Sequence, residues 1–255
     1  MSDTNFRPHR RDLMTGLAAA GSLIATGASA QDVEASSLEI DHISLGVQNL
    51  FEGSERLQRE TGIPSIQGRW FPDIGMANRY FATGDNTYIE VESVIDPFAI
   101  ARKNPIAVDT YAQLAGGDAF LGYVLRVKSR AELDRIAKRL GVTVVAAPLG
   151  VRVDGVPSVN YVRAPDTPLA WPRGLPNFIF WDGTVTKPVL PGPVKPTGIA
   201  WLEVGGTRAD MEKWVGDAVS RLPFRYNGKP AGLYAVGIKS PDRIIEVRRT
   251  ARHLA

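Results

Sequence analysis

The chain has 255 residues, of which 44% are hydrophobic, and it contains no cysteine. Its 30 Lys and Arg residues nearly balance its 27 Asp and Glu residues, which gives a formal net charge of +3 without a basic run. This composition is typical of a globular protein and gives no support for a nucleic-acid partner. It also excludes disulfides, zinc ribbons and cysteine nucleophiles.

Residues 1–30 have the features of an export signal. Arg10 and Arg11 precede an uncharged stretch rich in Ala and Gly, which ends in a small-x-small cleavage site at Ala30. Paired arginines before a weakly hydrophobic stretch resemble a twin-arginine signal. The alternative, a membrane anchor, is disfavoured because Gly and Thr dilute the stretch. The sequence therefore predicts a periplasmic protein, cleaved near Ala30, with no stable membrane anchor after cleavage.

The body of the chain begins with a unit of one strand, one helix and three strands. A strand at 38–47 leads to Asn49, a residue type that caps helix N-termini, and Gly62 is expected to end the helix. Three strand-like runs follow at 65–70, 77–83 and 87–94. Residues 96–118 then cross to the next unit and leave room for a short helix.

Two further units follow in the same order of elements. The second opens with a strand at 120–127, and the capping box Ser129-x-x-Glu132 starts a helix that Gly141 ends. The third, within residues 198–255, has a helix predicted at about 209–222. The later strands are predicted at 142–147, 159–164, 177–181, 198–204, 224–227, 233–238 and 243–248. Four prolines predict an extended linker at 184–197 between these units.

One such unit cannot bury both faces of its sheet, so units must pack on one another. The sequence therefore predicts an α+β fold in which βαβββ modules form curled mixed sheets. Two units side by side would enclose a cleft lined by strand residues. The sequence alone does not determine which units pair, and a homodimer completed by the third unit stays open.

The first unit resembles a known group of proteins. Its motifs are Asp41-His42-Ile43-x-Leu45-Gly46-Val47, Pro72-x-x-Gly75-x-x-Asn78 and Tyr88-Ile89-Glu90-Val91. They are similar to those of the vicinal oxygen chelate superfamily, and more narrowly of glyoxalase-like domain proteins. The resemblance implies a two-module domain over 31–183, of the glyoxalase and bleomycin-resistance type. It also implies a divalent metal held by a first-strand residue and a last-strand Glu. Known activities range from lyases and isomerases to metal-free binding, so the fold leaves function open.

His42 and Glu90 are the metal ligands that this resemblance implies. His42 is the one histidine in the body of the chain, since His9 and His253 lie near the ends. Strand alternation turns His42 away from the apolar face of Ile43 and Leu45, toward the cleft. An imidazole and a carboxylate on neighbouring strands suit Zn, Fe, Mn or Ni. The alternatives are a histidine bonded to the backbone and a Glu on a solvated face.

A third ligand is harder to find. The second unit offers Gly122 and Phe180 at the equivalent places, and neither can bind a metal. The third unit offers Glu246, in a strand that mirrors the one containing Glu90. If the first and third units adjoin, His42, Glu90 and Glu246 would form a metal site, with Glu90 or Glu246 as catalytic base.

Three residues are candidates for substrate binding. Asn78 belongs to the first-unit motifs, and Arg69 and Arg79 flank the expected cleft, where cations would suit a carboxylate or oxyanion. Solvated strand arginines are the alternative. Phe71 stands where many relatives of the family have His, and it can neither bind a metal nor move a proton.

The sequence thus favours an exported glyoxalase-like protein with a divalent metal, acting as a lyase or isomerase on a small oxygen-rich substrate. The alternative is a metal-free small-molecule-binding protein that uses the same cleft, which Phe71 and the second unit favour. A third hypothesis is a structural dimerisation module with its cleft filled by side chains.

Overall fold

The computed structural model describes residues 38–84, 86–146, 151–152, 161–164, 170–181 and 192–249. The predicted export signal and the first part of the predicted linker lie outside these residues. Among the described helices, none combines the length and apolar character needed to span a membrane.

The first unit forms the expected βαβββ module. Its elements are β1 (Glu39–Gly46), α1 (Leu50–Thr61), β2 (Ser65–Phe71), β3 (Met76–Gly84) and β4 (Thr87–Val94). The Asn49 side chain accepts hydrogen bonds from two N–H groups of the first turn, and Gly62 ends the helix at φ 72°. Both predicted helix ends are therefore confirmed. Strand β1 pairs in parallel with β4, which gives the order β1-β4-β3-β2.

Two short helices, α2 (Pro97–Ala101) and α3 (Pro105–Gln113), occupy the crossing to the second module. That module consists of β5 (Ala119–Arg126), α4 (Arg130–Leu140), β6 (Val145–Ala146), β7 (Val151–Arg152), β8 (Tyr161–Ala164) and β9 (Asn177–Trp181). As predicted, the Ser129 hydroxyl accepts from Glu132 N–H at 3.1 Å and Gly141 ends α4 in the left-handed region. The structure confirms the α+β class.

The first two modules share one sheet. Strand β5 pairs antiparallel with β1, and the nine strands run in the order β6-β8-β9-β5-β1-β4-β3-β2-β7. Strands β6 and β7 lie at opposite edges, yet Ala146 and Val151 are five residues apart in the chain. Their Cα atoms can be no more than about 18 Å apart. The sheet is therefore strongly curled, and its two edges approach each other.

The third unit has the same order of elements but a different sheet. It contains β10 (Gly198–Gly205), α5 (Arg208–Val215), β11 (Phe224–Tyr226), β12 (Gly232–Lys239) and β13 (Ile244–Arg248). Its order is β11-β10-β12-β13, so the first strand pairs with the second and third strands rather than the last. The predicted long helix breaks at Gly216, where φ is 86° and ψ is −162°, and a 3₁₀ turn follows.

The four-stranded sheet packs against the second module. Trp214 Nε1 donates to the Pro176 carbonyl at 2.9 Å, and the Tyr123 and Phe224 rings meet at 5.7 Å between centroids. The described part of the predicted linker also makes contacts, because Val194 packs against the hydrophobic core.

The two modules of the large sheet differ at Gly122. The indole of Trp171, in a 3₁₀ turn before β9, lies directly on this glycine, and Trp171 Nε1 donates to the Tyr123 carbonyl at 3.1 Å. A Cβ atom on Gly122 would stand 2.2 Å from Trp171 Cγ. The glycine is therefore required by the close approach of an aromatic ring, and this ring fills space that is polar in the first module.

We expect Gly122→Ala to destabilise the protein by about 1–3 kcal/mol, because the new methyl group forces the Trp171 ring out of place. Urea unfolding followed by circular dichroism measures the change. In a Trp171→Leu background the same substitution should cost clearly less, since the two residues are in contact. Equal costs in both backgrounds would show that the ring does not set this constraint.

Candidate functional site

The concave side of the nine-stranded sheet encloses a cavity of about 150 Å³. Helix α3 covers it, contributing Ile106, Asp109, Thr110 and Gln113 to its wall. The polar and charged groups contributed by the strands are His42, Arg69, Tyr80, Tyr88, Glu90, Glu92, Arg163 and Asn177. Most of the remaining lining is aromatic or aliphatic. A volume of this order holds a benzene-sized molecule.

A β-bulge places Asp41 beside His42. Ile40 pairs with Leu125 and His42 with Val124, so Asp41 is an extra residue on β1 with no counterpart on β5. An extra residue turns the strand locally, and the Asp41 side chain lies on the His42 side instead of the opposite face. Asp41 is fully buried, and its Oδ1 lies 2.7 Å from His42 Nδ1.

The Asp41 carboxylate is held by both modules. Its Oδ2 accepts from Trp181 Nε1 at 2.9 Å and from Arg126 Nη1 at 3.3 Å. A carboxylate can only accept, so the neutral imidazole of His42 carries its proton on Nδ1. The lone pair of Nε2 then faces the cavity, where Nε2 lies 3.5 Å from Glu90 Oε2. The His42 ring also stacks on Tyr88, with 4.9 Å between centroids and 17° between planes.

Glu90 is fixed by a first-module amide. Asn78 Nδ2 donates to Glu90 Oε1, while Asn78 Oδ1 accepts from the Arg69 backbone N–H at 2.6 Å. Burial, and to a smaller extent the charge of Glu92, raise the pKa of Glu90 to about 7 against the opposing effects of His42, Arg69 and Asn78. A carboxyl group with this pKa can gain or lose a proton near neutral pH.

Glu92 is a second buried carboxyl group in the same wall. Ser44 Oγ donates to Glu92 Oε1 across the β1–β4 pair. Burial raises the pKa of Glu92 to about 7, although the Ser44 hydrogen bond and the charge of Arg163 lower it. Two carboxyl groups on successive cavity-facing positions of β4 therefore exchange protons in the same pH range.

The geometry agrees with joint metal binding by His42 and Glu90 only in part. Two ligands of one ion, with bonds of about 2.0–2.2 Å, stand roughly 3.5 Å apart in tetrahedral geometry, which is close to the 3.5 Å between His42 Nε2 and Glu90 Oε2. The Asp41–His42 hydrogen bond is also typical of a metal-bound histidine. However, the described residues include no group of three His, Cys, Asp or Glu side chains that could hold a metal ion. Among the described residues, the donor set for a tightly held ion is therefore incomplete.

Two of the candidate residues are not brought to this cavity. Glu246 lies exposed on β13 of the four-stranded sheet and pairs with Arg248 at 2.8 Å. The third unit does adjoin the first module, but it does so at α1 and β3 and not at the cavity. Arg79 projects from β3 toward Ser65, whose Oγ accepts from Arg79 Nη2 at 2.8 Å, and it does not line the cavity. His42, Glu90, Arg69 and Asn78 do come together, and Phe71 also lines the cavity.

The second module contributes residues that differ from those expected. On β9, Ile179 and Trp181 face the cavity, whereas Phe180 packs against the core on the other face. Trp181 Nε1 donates to Asp41 of the first module. No pattern in the sequence singled out Arg163 or Asn177. Asp41 appeared only as the first residue of the motif that contains His42.

The sequence pattern of the family described as "Glyoxalase-like domain" matches residues 40–219, well over half of the chain. The chain belongs to the glyoxalase-like domain family. It is therefore a member of the vicinal oxygen chelate superfamily, as the first-module motifs suggested. No protein with a curated description matches the chain.

The solved structures that are similar to this chain are distant from it in sequence. A hypothetical protein from Staphylococcus aureus is 15% identical, with 84% of this chain and 87% of that one covered and a TM-score of 0.50. Methylmalonyl-CoA epimerase from Mycobacterium tuberculosis is 16% identical, with 57% and 88% covered and a TM-score of 0.39. Identities this low concern the fold and carry no information on the reaction.

Because Glu90 and Glu92 are buried, we expect the free energy of unfolding of the protein to decrease as pH rises. The pKa values of Glu90 and Glu92 rise from 4.5 to about 7 in the folded state, so the folded protein binds these protons more tightly than the unfolded chain. The resulting stabilisation is complete below about pH 4.5 and is lost as pH rises through 7. We expect a decrease of about 1–3 kcal/mol for each group, measured by chemical unfolding between pH 5 and pH 8.

Glu92→Gln should be more stable than the wild type at pH 8 and differ little from it at pH 5. Glu55→Gln, on the exposed face of α1, is the matched control and should change stability equally little at both values. If the free energy of unfolding of Glu92→Gln changed with pH in parallel with that of the wild type, the raised pKa of Glu92 would be contradicted.

Asp41→Asn should change the tautomer of His42, because an amide can donate to Nδ1 where the carboxylate only accepts. Loss of a buried charged hydrogen bond should also cost about 1–3 kcal/mol. The chain has three histidines, so ¹⁵N NMR can resolve the His42 ring. Glu39→Gln is the control, since Glu39 also pairs with Arg126, at 2.8 Å. Unchanged His42 nitrogen shifts in Asp41→Asn would exclude this role.

Proposed function

We propose that the cavity binds a small molecule with a carboxylate or carbonyl oxygen, and that Glu90 and His42 move a proton on the adjacent carbon. This is the chemistry of a lyase or an isomerase. The observation that carries the proposal is the 3.5 Å approach of His42 Nε2 and Glu90 Oε2 at the wall of one cavity.

The surrounding groups fit this chemistry. The Glu90 carboxylate removes the proton, and the electron pair of the C–H bond moves to the carbonyl oxygen to form an enolate. Arg69 lines the same cavity and supplies positive charge that stabilises an oxyanion. The proton returns to carbon from Glu90, or passes to another atom through His42 Nε2, which Asp41 keeps as an acceptor.

A divalent metal is an extension of this proposal. His42 Nε2 and Glu90 Oε2 would hold the ion, and it would supply a Lewis acid for the substrate oxygens. Metal analysis of protein purified without a histidine tag tests it. A stoichiometric Zn, Fe, Mn or Ni ion that His42→Ala loses would support metal binding. Absence of metal, together with unchanged stability in chelator, would leave the metal-free mechanism.

A metal-free binding protein is the second candidate. It is supported by Phe71 in the cavity wall and by the second module, where Gly122 stands in place of His42 and the amide of Asn177 stands in place of the Glu90 carboxylate. Such a protein would bind the same small acids without exchanging their protons.

Proton exchange in D₂O separates the two candidates. Small 2-oxo and 2-hydroxy acids are incubated with the protein. Proton NMR follows loss of the C–H signal on the carbon next to the keto group of the 2-oxo acids, or on the hydroxyl-bearing carbon of the 2-hydroxy acids. We expect exchange with the wild type and a decrease of about 100-fold or more in Glu90→Gln, as for loss of a general base. Glu246→Gln, the same change on the exposed β13, should keep the wild-type rate.

Exchange that survives Glu90→Gln would contradict the proposed base. Binding of these acids without any exchange, measured by calorimetry, would favour the binding protein.

Export to the periplasm remains part of the proposal. It is supported by the twin arginines and the Ala30 cleavage site. N-terminal sequencing of the protein recovered from the periplasm of an expressing bacterium tests it, and a mature chain that begins near Gln31 is the expected result.

A further inference from the structure

A second, smaller cavity lies behind the main one. Its volume is about 20 Å³, and it reaches Ala231, Gly232 and Leu233 of the third unit. The two cavities share a wall made by Gln113, Leu121, Trp171 and Pro172. Of these, Trp171 has the largest side chain, and it separates the spaces where the second module meets the third unit.

The Trp171 indole is held in this position from several sides. It lies on the bare backbone of Gly122, and its Nε1 donates to the Tyr123 carbonyl at 3.1 Å. Gly174, in the left-handed region at φ 66°, ends the turn that carries it, and Gly174 N–H donates to the Trp171 carbonyl at 2.8 Å. A ring fixed by a hydrogen bond and by packing acts as a rigid wall rather than an adaptable one.

The wall lies next to the proposed catalytic groups. Two residues of β5 pair with residues of β1 at the site. Gly122 pairs with Ser44, whose hydroxyl donates to Glu92, and Val124 pairs with His42. A ligand that is bound at His42 and Glu90 and lies along β5 therefore points toward the Trp171 ring. The length available to it in this direction ends at the indole.

We propose that Trp171 determines the maximum size of the ligand by separating the main cavity from the space beneath the third unit. This inference rests on the proposed function, in that the main cavity is taken as the ligand site. Removal of the indole would join the two spaces into one cavity that reaches from His42 to the backbone of Gly232. The third unit then forms the outer wall of an enlarged site.

Three aryl carboxylates of increasing length test the proposal: benzoate, 2-naphthoate and biphenyl-4-carboxylate. Each combines a carboxylate, which suits Arg69, with an apolar ring that suits the remaining wall. Binding is measured by isothermal titration calorimetry. We expect the wild type to bind benzoate and to bind the biphenyl acid at least about tenfold more weakly, since a rigid wall excludes the longer molecule.

Trp171→Ala should reverse this order and bind the biphenyl acid at least about tenfold more tightly than the wild type does. Trp70→Ala is the matched control, because Trp70 is 50% exposed and lines neither cavity. It should keep the wild-type preference. Thermal unfolding checks that each variant is folded, and if Trp171→Ala is not, Trp171→Leu with 2-naphthoate provides the same comparison.

The outcomes separate this inference from the proposed function. If the wild type binds benzoate and the Trp171 variants keep its size limit, the partition is refuted while the ligand site stands. If the wild type binds the biphenyl acid as tightly as benzoate, the partition is also refuted. If the Trp171 variants bind the biphenyl acid more tightly than the wild type does, the partition is supported, even when the wild type does not bind benzoate. If no variant binds any of the three acids, both proposals fail.

Discussion

The arrangement of the site depends on the buried carboxylate of Asp41. Buried charge is costly unless it is paired and hydrogen-bonded, and Asp41 meets this condition with groups from three strands. His42 lies on β1, Arg126 on β5 and Trp181 on β9, so one carboxylate joins both modules at the base of the cavity. The same contact fixes the proton of His42 on Nδ1 and leaves Nε2 facing Glu90. The structural and chemical roles of Asp41 are therefore inseparable.

The two modules have the same fold but different interiors. In the first, the concave face carries an imidazole and two carboxyl groups with raised pKa values. In the second, Gly122 admits an indole, and the remaining strand positions are largely apolar. The first module therefore supplies the ionisable groups of the cavity, and the second module sets the shape of the cavity. This division of labour explains how a fold with internal repetition supports a single asymmetric site.

The sequence predicted the modules and much of the first-module site. Local signals were sufficient for the helix limits at Asn49, Gly62, Ser129 and Gly141, since capping involves neighbours in the chain. Strand alternation correctly turned His42 and Glu90 toward one face. These features depend on residues that are close in sequence, or on the period of a strand.

Long-range features could not be predicted in the same way. A β-bulge depends on how two strands are matched, so the position of Asp41 was not visible in β1 alone. Strand β9 was assigned three residues out of register, because Asn177 and not Phe180 is the counterpart of Glu90. A shift by an odd number of residues exchanges every side chain between the two faces. The location of Glu246 depended on which units pair, and the third unit resembles the others in element order but not in sheet order.

The edges of the large sheet bear on how this chain behaves at high concentration. The nine-stranded sheet ends in β6 and β7, which are two residues long each. Exposed edge strands offer unpaired backbone groups to other chains, and very short edges limit this polymerisation. Within the described residues, β13 is the longest outer strand of either sheet, and it carries the charged side chains of Glu246 and Arg248. Charges on an edge oppose strand addition, so the β13 edge of the four-stranded sheet is protected by charge, whereas the edges of the nine-stranded sheet are protected by their shortness.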